Sequence, residues 1–428
     1  MKRKNQSGIT LVALVVTIVV LLILAGVSIN LVLGENGLIA QAKDAREQTK
    51  SAGVNEKSQM DSASDFISEV VNGTELPQTN ETKPYMPGDG FTKVEGTNLA
   101  NGLTIQDTDG NQYVWVEVPM TTTVYPTAGL TITEFATDEY GKIEADLHTY
   151  TMTYRKGKST TETSYKDEWY EDTNNTADWY TQEQYTAQKQ KMLKSVYQNG
   201  GFWVAKYEAG LTEENNRTSH TTPTIAPKSK QNLVPYTYVT RTEAKKLVEM
   251  VTYTKGETTY KGSLMFGVQW DLVLKFIETK KLATDAKIVS KLNSDSKDIG
   301  NYKNATFIIN RGKYAVYSNN SLSNTWNAYN TPTTNYVGEN ANKLAQSSDG
   351  SGILLTTGAV DRNCLMNIYD IAGNVWEWTL EYTSFSSNPC ALRGGYYYNT
   401  GSYHPASVRG GGSTTDSIYG YGFRLSLY

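Results

Sequence analysis

"RGGYYYNTGSYHPASVRGGGSTTDSIYGYGFR", Arg393–Arg424, combines tyrosines and glycines with Ser and Thr, and after Gly395 the chain runs to Tyr428 without one Lys, Glu, Gln, Met or Trp. Lys and Glu are among the commonest residues of globular chains, so a terminus that avoids both reflects selection on composition. Tyrosine offers a large amphipathic contact surface at low side-chain entropy cost, which suits a binding face better than a catalytic one. The motifs at the two ends of this stretch, Arg-Gly-Gly and Gly-Phe-Arg, also decide how the rest of the chain is read.

Outward from that segment, the whole chain has 428 residues, enough for one large domain or two ordinary ones with a buried core. Its net charge is -4, and no basic stripe follows the first four residues, which argues against a nucleic-acid partner. Tyr is abundant at 30 residues, His is scarce at 3, and 2 cysteines permit at most one disulfide.

The N-terminus sets the compartment. Lys2, Arg3 and Lys4 precede an uncharged run from Gln6 to Gly34. A helix of about 25 residues spans roughly 38 Å, enough to cross a bilayer, and the basic start places the C-terminal bulk outside. "SGITLVALVVTIVVLLILAG" resembles a type IV pilin-like leader, a short basic segment ending in Gly8. That resemblance implies cleavage before Ile9 and methylation of the new N-terminus, and it admits other pilins as partners. Ala13 stands where polymerising relatives carry Glu, so a minor pilin and a simple membrane anchor both stay open. The apolar spacing predicts a transmembrane and stalk helix over 9–71, then a Gly/Pro/Asn-rich linker at 72–83.

From 84 to 428 the pattern changes to short strands and many turns. "GLTIQDTDGNQYVWVEVP" predicts a hairpin with Val114, Val116 and Val118 on one face. The Thr-, Tyr-, Lys- and Glu-dense stretch 138–190 reads as a surface insertion, closing in a helix that Gly200 caps. Thr240 followed by Glu243 predicts a capping box, and Trp270, Leu274 and Ile277 mark the stripe of another helix.

"NGGFWVAKYEAG" (Asn199–Gly210), "GVQWDLVLKFI" (Gly267–Ile277), "NIYDIAGNVWEWTLEY" (Asn367–Tyr382), "LRGGYYY" and "GYGFRLSLY" together resemble the formylglycine-generating enzyme (sulfatase-modifying factor) family. The resemblance implies an α+β chain whose main domain has a C-type lectin-like fold. It also implies a structural calcium held around Gly373, Asn374, Val375 and Glu377; the other reading pairs Glu377 with an arginine such as Arg393. The enzymes of the family bind copper through two cysteines shortly after the Gly-Gly pair. Here Asn399 and His404 stand near those positions, no cysteine follows Gly395, and His148, His220 and His404 lie in unrelated segments. Soft-ligand copper chemistry therefore has no thiolates. Enzyme activity is not the favoured reading, and an exported formylglycine-generating oxidase or related iron enzyme is the alternative. In an exported chain Cys364 and Cys390 are expected to pair, with two buried free thiols as the other reading.

The terminal segment finally resembles that of variable proteins of diversity-generating retroelements, in which adenines of a template are randomised. Asn codons then become any codon ending in C or T, and none of these encodes Lys, Glu, Gln, Met or Trp. This implies a frame of Arg393, Gly394, Gly395, Pro405, Ala406, Ser407, Arg409, Gly422, Phe423 and Arg424 within the variable region 393–428. The implied variable positions are Tyr396, Tyr398, Tyr403, His404, Val408, Gly410, Gly411, Gly412, Asp416, Ile418, Tyr419 and Tyr421; a Tyr/Gly/Ser loop of fixed sequence is the other reading. The function implied is a pilin-anchored ligand-binding protein at the cell surface, taking a protein or glycan ligand of another cell, phage or host.

Overall fold

The hairpin around Asp109 and Gly110 forms where the turn residues place it. The computed structural model describes residues 76–174, 177–318, 321–328, 336–337 and 352–428, so the Gly8–Ile9 leader, the 9–71 helix and the start of the linker lie outside the described residues. Among the described residues no helix is long and apolar enough to cross a membrane. The architecture is α+β. Strands β1 (Thr92–Lys93), β2 (Thr104–Gln106) and β3 (Gln112–Glu117) run antiparallel, with Thr104 opposite Val114, and Gly110 takes the left-handed turn conformation at φ +83°. Val114, Val116 and Val118 are buried, but so are Tyr113 and Trp115 between them. The strand is therefore covered on both faces, because Trp115 packs edge-on to Trp203 and donates its Nε1 proton to Thr82.

Segment 138–190 is largely exposed, as its composition predicts, yet it also contributes side chains to the core. Helix α1 (Thr137–Tyr150) and the residues after it supply Ile143, Leu147, Tyr154, Trp179 and Tyr185 to the core. Its buried acids are satisfied by backbone donors: Asp146 accepts from Thr127 and Ala128, Asp167 from Gly267 and Val268. That satisfaction is what lets these carboxylates go inside. Helix α2 (Gln182–Asn199) opens on a Thr181/Gln184 capping box and ends at left-handed Gly200, leading into β4 (Gly201–Ala205) beside β3. Helix α3 (Arg241–Glu249) begins with the Thr240/Glu243 box. After β5 (Ser263–Leu264) comes α4 (Gly267–Lys281), buried nearly all round, with the Asp167 carboxylate on its first N–H groups. The short α5 (Ile288–Asn293) follows.

The C-terminal part builds a second sheet from β6 (Trp376–Tyr382), β7 (Cys390–Arg393), β8 (Arg409–Gly412) and β9 (Tyr421–Phe423), ordered β8-β7-β6-β9 with β9 parallel to β6. The last strand, β10 (Leu425–Leu427), then crosses to the first sheet and pairs between β4 and β5. Residues 394–408 and 413–420 thus run between strands of this sheet, held in place at both ends.

Candidate binding face

Beneath the terminal segment lies a closed ring of charges. Strand register sets Arg393 opposite Arg409, two like charges that need two acids. Asp271 of α4 and Glu381 of β6 supply them. Arg393 Nη2 lies 2.6 Å from Asp271 Oδ1 and Nη1 3.0 Å from Glu381 Oε2, while Arg409 reaches the other oxygen of each at 2.6 and 2.7 Å. Burial alone would raise the Asp271 carboxyl, but Arg409 and Arg393 outweigh it and hold it below the usual range. Asp271 and Glu381 lie within the quoted stretches Gly267–Ile277 and Asn367–Tyr382, whose motifs do not say what these acids pair with. The available signal was alternation: Glu377, Thr379 and Glu381 interleave with Trp376, Trp378 and Leu380 in a strand buried throughout, and buried carboxylates require partners.

The loop that leaves Arg393 is held from below. Gly394 and Gly395 both have positive φ, and a Cβ on Gly395 would lie 2.7 Å from the His404 carbonyl oxygen. The buried Tyr302 hydroxyl reaches the carbonyls of Gly394 at 2.7 Å and His404 at 2.8 Å. Trp270 donates to the Ala406 carbonyl, Ser296 accepts from the Ala406 N–H, and the Ser407 hydroxyl donates to Asn293.

Glu377 pairs with Arg424, not with Arg393: Nη2 to Oε1 is 2.7 Å and Nε lies near both oxygens. Asn374, at φ +61°, accepts from Asn301 and from the Leu355 N–H, and donates to Glu208 Oε2 at 2.6 Å. Glu208 Oε1 also accepts the Val375 N–H, and the Gly373 N–H donates to Gly394. Calcium needs six or more oxygen ligands. The Glu377 oxygens face a guanidinium and the Asn374 oxygen already has two donors, so these side chains do not fit the ion, and the carbonyls of Gly373 and Val375 alone fall short of its ligand count. Glu208, fully buried, ties down this turn instead, a role that its place in "AKYEAG" did not reveal. Its carboxyl is held well above the usual range by burial, with Asp370 and Glu377 adding to it.

Above this base the terminal segment divides. The frame residues Arg393, Gly394, Gly395, Pro405, Ala406, Ser407, Gly422, Phe423 and Arg424 are buried, and the Arg409 side chain is 5 % exposed. Tyr396, Tyr398, His404, Val408, Gly410, Asp416, Ile418, Tyr419 and Tyr421 are half-buried, Gly411 is exposed, and Tyr403 stands out at 75 %. Tyr397, between two half-buried neighbours, is fully buried.

The structure brings these side chains into two adjoining groups. Tyr396, Tyr398 and Tyr419 gather with ring centroids 6.2–6.5 Å apart over a small core of Val234, Ala315, Leu354, Val375 and Tyr397. Lys303 Nζ lies 4.9 Å from the Tyr398 ring. Beside them, His404 meets Trp376 edge-on at 5.2 Å and Tyr403 at 4.5 Å, and Tyr421 meets Trp378 at 5.2 Å. Burial and then the charge of Lys158 hold His404 down to about 4, while burial and then Asp416 push Tyr421 up to about 12. Asp416 turns inward and accepts from the Ser413 N–H and hydroxyl. Gly411 stands apart, near Tyr165 and Asn388. Gly412 is buried under Trp378, where a Cβ would lie 2.6 Å from the ring, so it belongs with the frame and not on the face.

The cysteines do not form the expected disulfide. Both are free thiols: Cys364 sits in a small hairpin opposite Tyr369, whereas Cys390 opens β7 opposite Gly412 in the second sheet. Their charged neighbours are disjoint, Lys206 and Asp370 for one and Arg241, Asp172 and Asp416 for the other. The histidines likewise stay in separate places. His148 is in α1, His220 binds Glu243, and His404 packs on Trp376, while Asn399 accepts the Tyr396 N–H.

No family model and no curated protein matches the chain. Among solved structures it is similar to the crystal structure of CarF, with 12% identity and a TM-score of 0.31 over 53% of this chain and 85% of that one. It is also similar to Treponema denticola variable protein 1, with 14% identity and a TM-score of 0.29 over 53% of this chain and 84% of that one.

Proposed function

We propose that this chain is a surface-displayed ligand-binding protein whose lectin-like domain carries a diversified C-terminal face. A pilin-like N-terminus anchors it in the membrane. The observation that carries the reading is the division of Arg393–Arg424: residues that build the frame are buried, most residues between them reach solvent, and Tyr396, Tyr398, Tyr403, Tyr419 and Tyr421 are among those that do. The composition of the segment agrees, since it lacks the residue types that randomised Asn codons cannot produce. Aromatic anchors on a rigid base bind with little entropy loss, and one frame then serves many side-chain sets. The ligand is a protein or glycan on another cell, phage or host surface.

Sequencing the 3′ end of the gene across many isolates, with its genomic surroundings, tests this. The expected result is variation confined to the codons of the exposed positions, a neighbouring reverse-transcriptase gene and an Asn-rich near-copy of the segment. An invariant segment with no such copy would overturn it.

A further inference from the structure

Away from the binding face, a cavity of about 330 Å³ opens beside α1, lined among others by Glu144, His148, Arg155, Asp167 and Lys189. We propose that Glu144, His148 and Asp167 form a site for a divalent transition-metal ion of the zinc class. Glu144 and His148 are four residues apart in α1, so one helix face presents both. Asp167 comes from the segment that follows, itself buried between exposed Lys166 and Glu168. One ligand atom from each of the three residues lies within 4.8 Å of the others. Two carboxylates and an imidazole, with room for a water, make the N/O donor set of an open zinc site; the nitrogen ligand argues against calcium or magnesium.

Two further observations support a ligand there. His148 Nε2 is buried without a hydrogen-bond partner among the described residues, although its ring lies at the cavity. Asp167 is 2 % exposed, and its two oxygens each accept a backbone N–H, from Gly267 at 2.6 Å and Val268 at 2.9 Å. Such bonds fix the orientation of a ligating carboxylate and leave a lone pair on each oxygen. Competing cations are also visible, since Arg155 and Lys166 line the cavity too. Lys189 Nζ sits 2.9 and 3.1 Å from the Glu144 oxygens and 2.8 Å from the Asp167 carbonyl, so an incoming ion displaces this ammonium.

The test is titration of the full-length chain, stripped with a chelator, with Zn2+ by calorimetry and with Co2+ by visible absorption. The expected result is one saturable equivalent and a Co2+ d–d band of tetrahedral intensity. His148→Ala abolishes the band and lowers Zn2+ affinity at least about tenfold. Lys189→Met removes one competitor and raises the affinity several-fold. Glu144→Gln, which keeps the helix and its packing shape, weakens binding as His148→Ala does and serves where the latter does not fold. Absence of saturable binding in both the wild type and Lys189→Met overturns the site, as does unchanged affinity in Glu144→Gln or in folded His148→Ala.

Discussion

The Arg393 guanidinium lies 2.6 Å from the Asp271 carboxylate with both side chains fully buried, which ties the strand leading into the proposed binding face to helix α4. Removing one member of such a pair leaves an uncompensated buried charge. Arg393→Ala is therefore expected to cost about 3–5 kcal/mol, because Asp271 and Glu381 would share Arg409 alone. Denaturant unfolding measures it, and a loss under about 1 kcal/mol would mean that water replaces the arginine and that the ring is not a frame.

The tyrosines are not equivalent. Tyr403, 75 % exposed, should tolerate replacement by Ser within about 0.5 kcal/mol of stability, whereas fully buried Tyr397→Ala should cost about 3–5 kcal/mol. Tyr396, Tyr398 and Tyr419 also pack on the small core, so replacing them with Tyr403 by Ser together should lower the melting temperature moderately and abolish ligand binding. Melting curves of the three variants decide. Equal stability of Tyr403→Ser and Tyr397→Ala would contradict this placement of the face.

Gly411 and Gly412 are adjacent, yet only the second is pressed against an indole. Gly412→Ala places a Cβ 2.6 Å from Trp378 and should cost about 1–3 kcal/mol. At Gly411 a Cβ would lie 2.9 Å from the Tyr165 hydroxyl, the mobile end of a side chain, and 3.1 and 3.2 Å from the Asn388 Cβ and carbonyl oxygen, which small shifts relieve, so Ala there should cost less than at Gly412. Comparable unfolding midpoints for the two variants would show that Trp378 can yield, and would restore Gly412 to the face.

His404 predicts a pH dependence. Its folded pKa of about 4 lies below the roughly 6.5 of a free imidazole, so between these values the unfolded chain binds a proton that the folded one does not. The His404 contribution is complete above about pH 6.5 and is lost as pH falls to about 4. His404→Phe keeps a ring on Trp376 and removes the titration. Melts from pH 4 to 7 should show a shallower acid loss in the variant than in the wild type, and parallel curves would show that His404 does not titrate in this window.

Much of the local structure was legible from neighbours in the chain. The capping box at Thr240 and Glu243, the left-handed stop at Gly200 and the Asp109-Gly110 hairpin are short-range devices whose partners lie within a few residues. The composition after Gly395 likewise drew attention to the segment proposed as the binding face. What only tertiary structure decided was partnership. Arg393 meets Asp271, Arg424 meets Glu377, and Glu208 meets Asn374, across separations of 122, 47 and 166 residues. A buried charge needs a partner, but strand register and the crossing of β10 choose which one. The same dependence on register left Cys364 and Cys390 apart, put Gly412 under Trp378, and buried Asp146 and Asp167 of the polar stretch 138–190, where backbone N–H groups satisfy them.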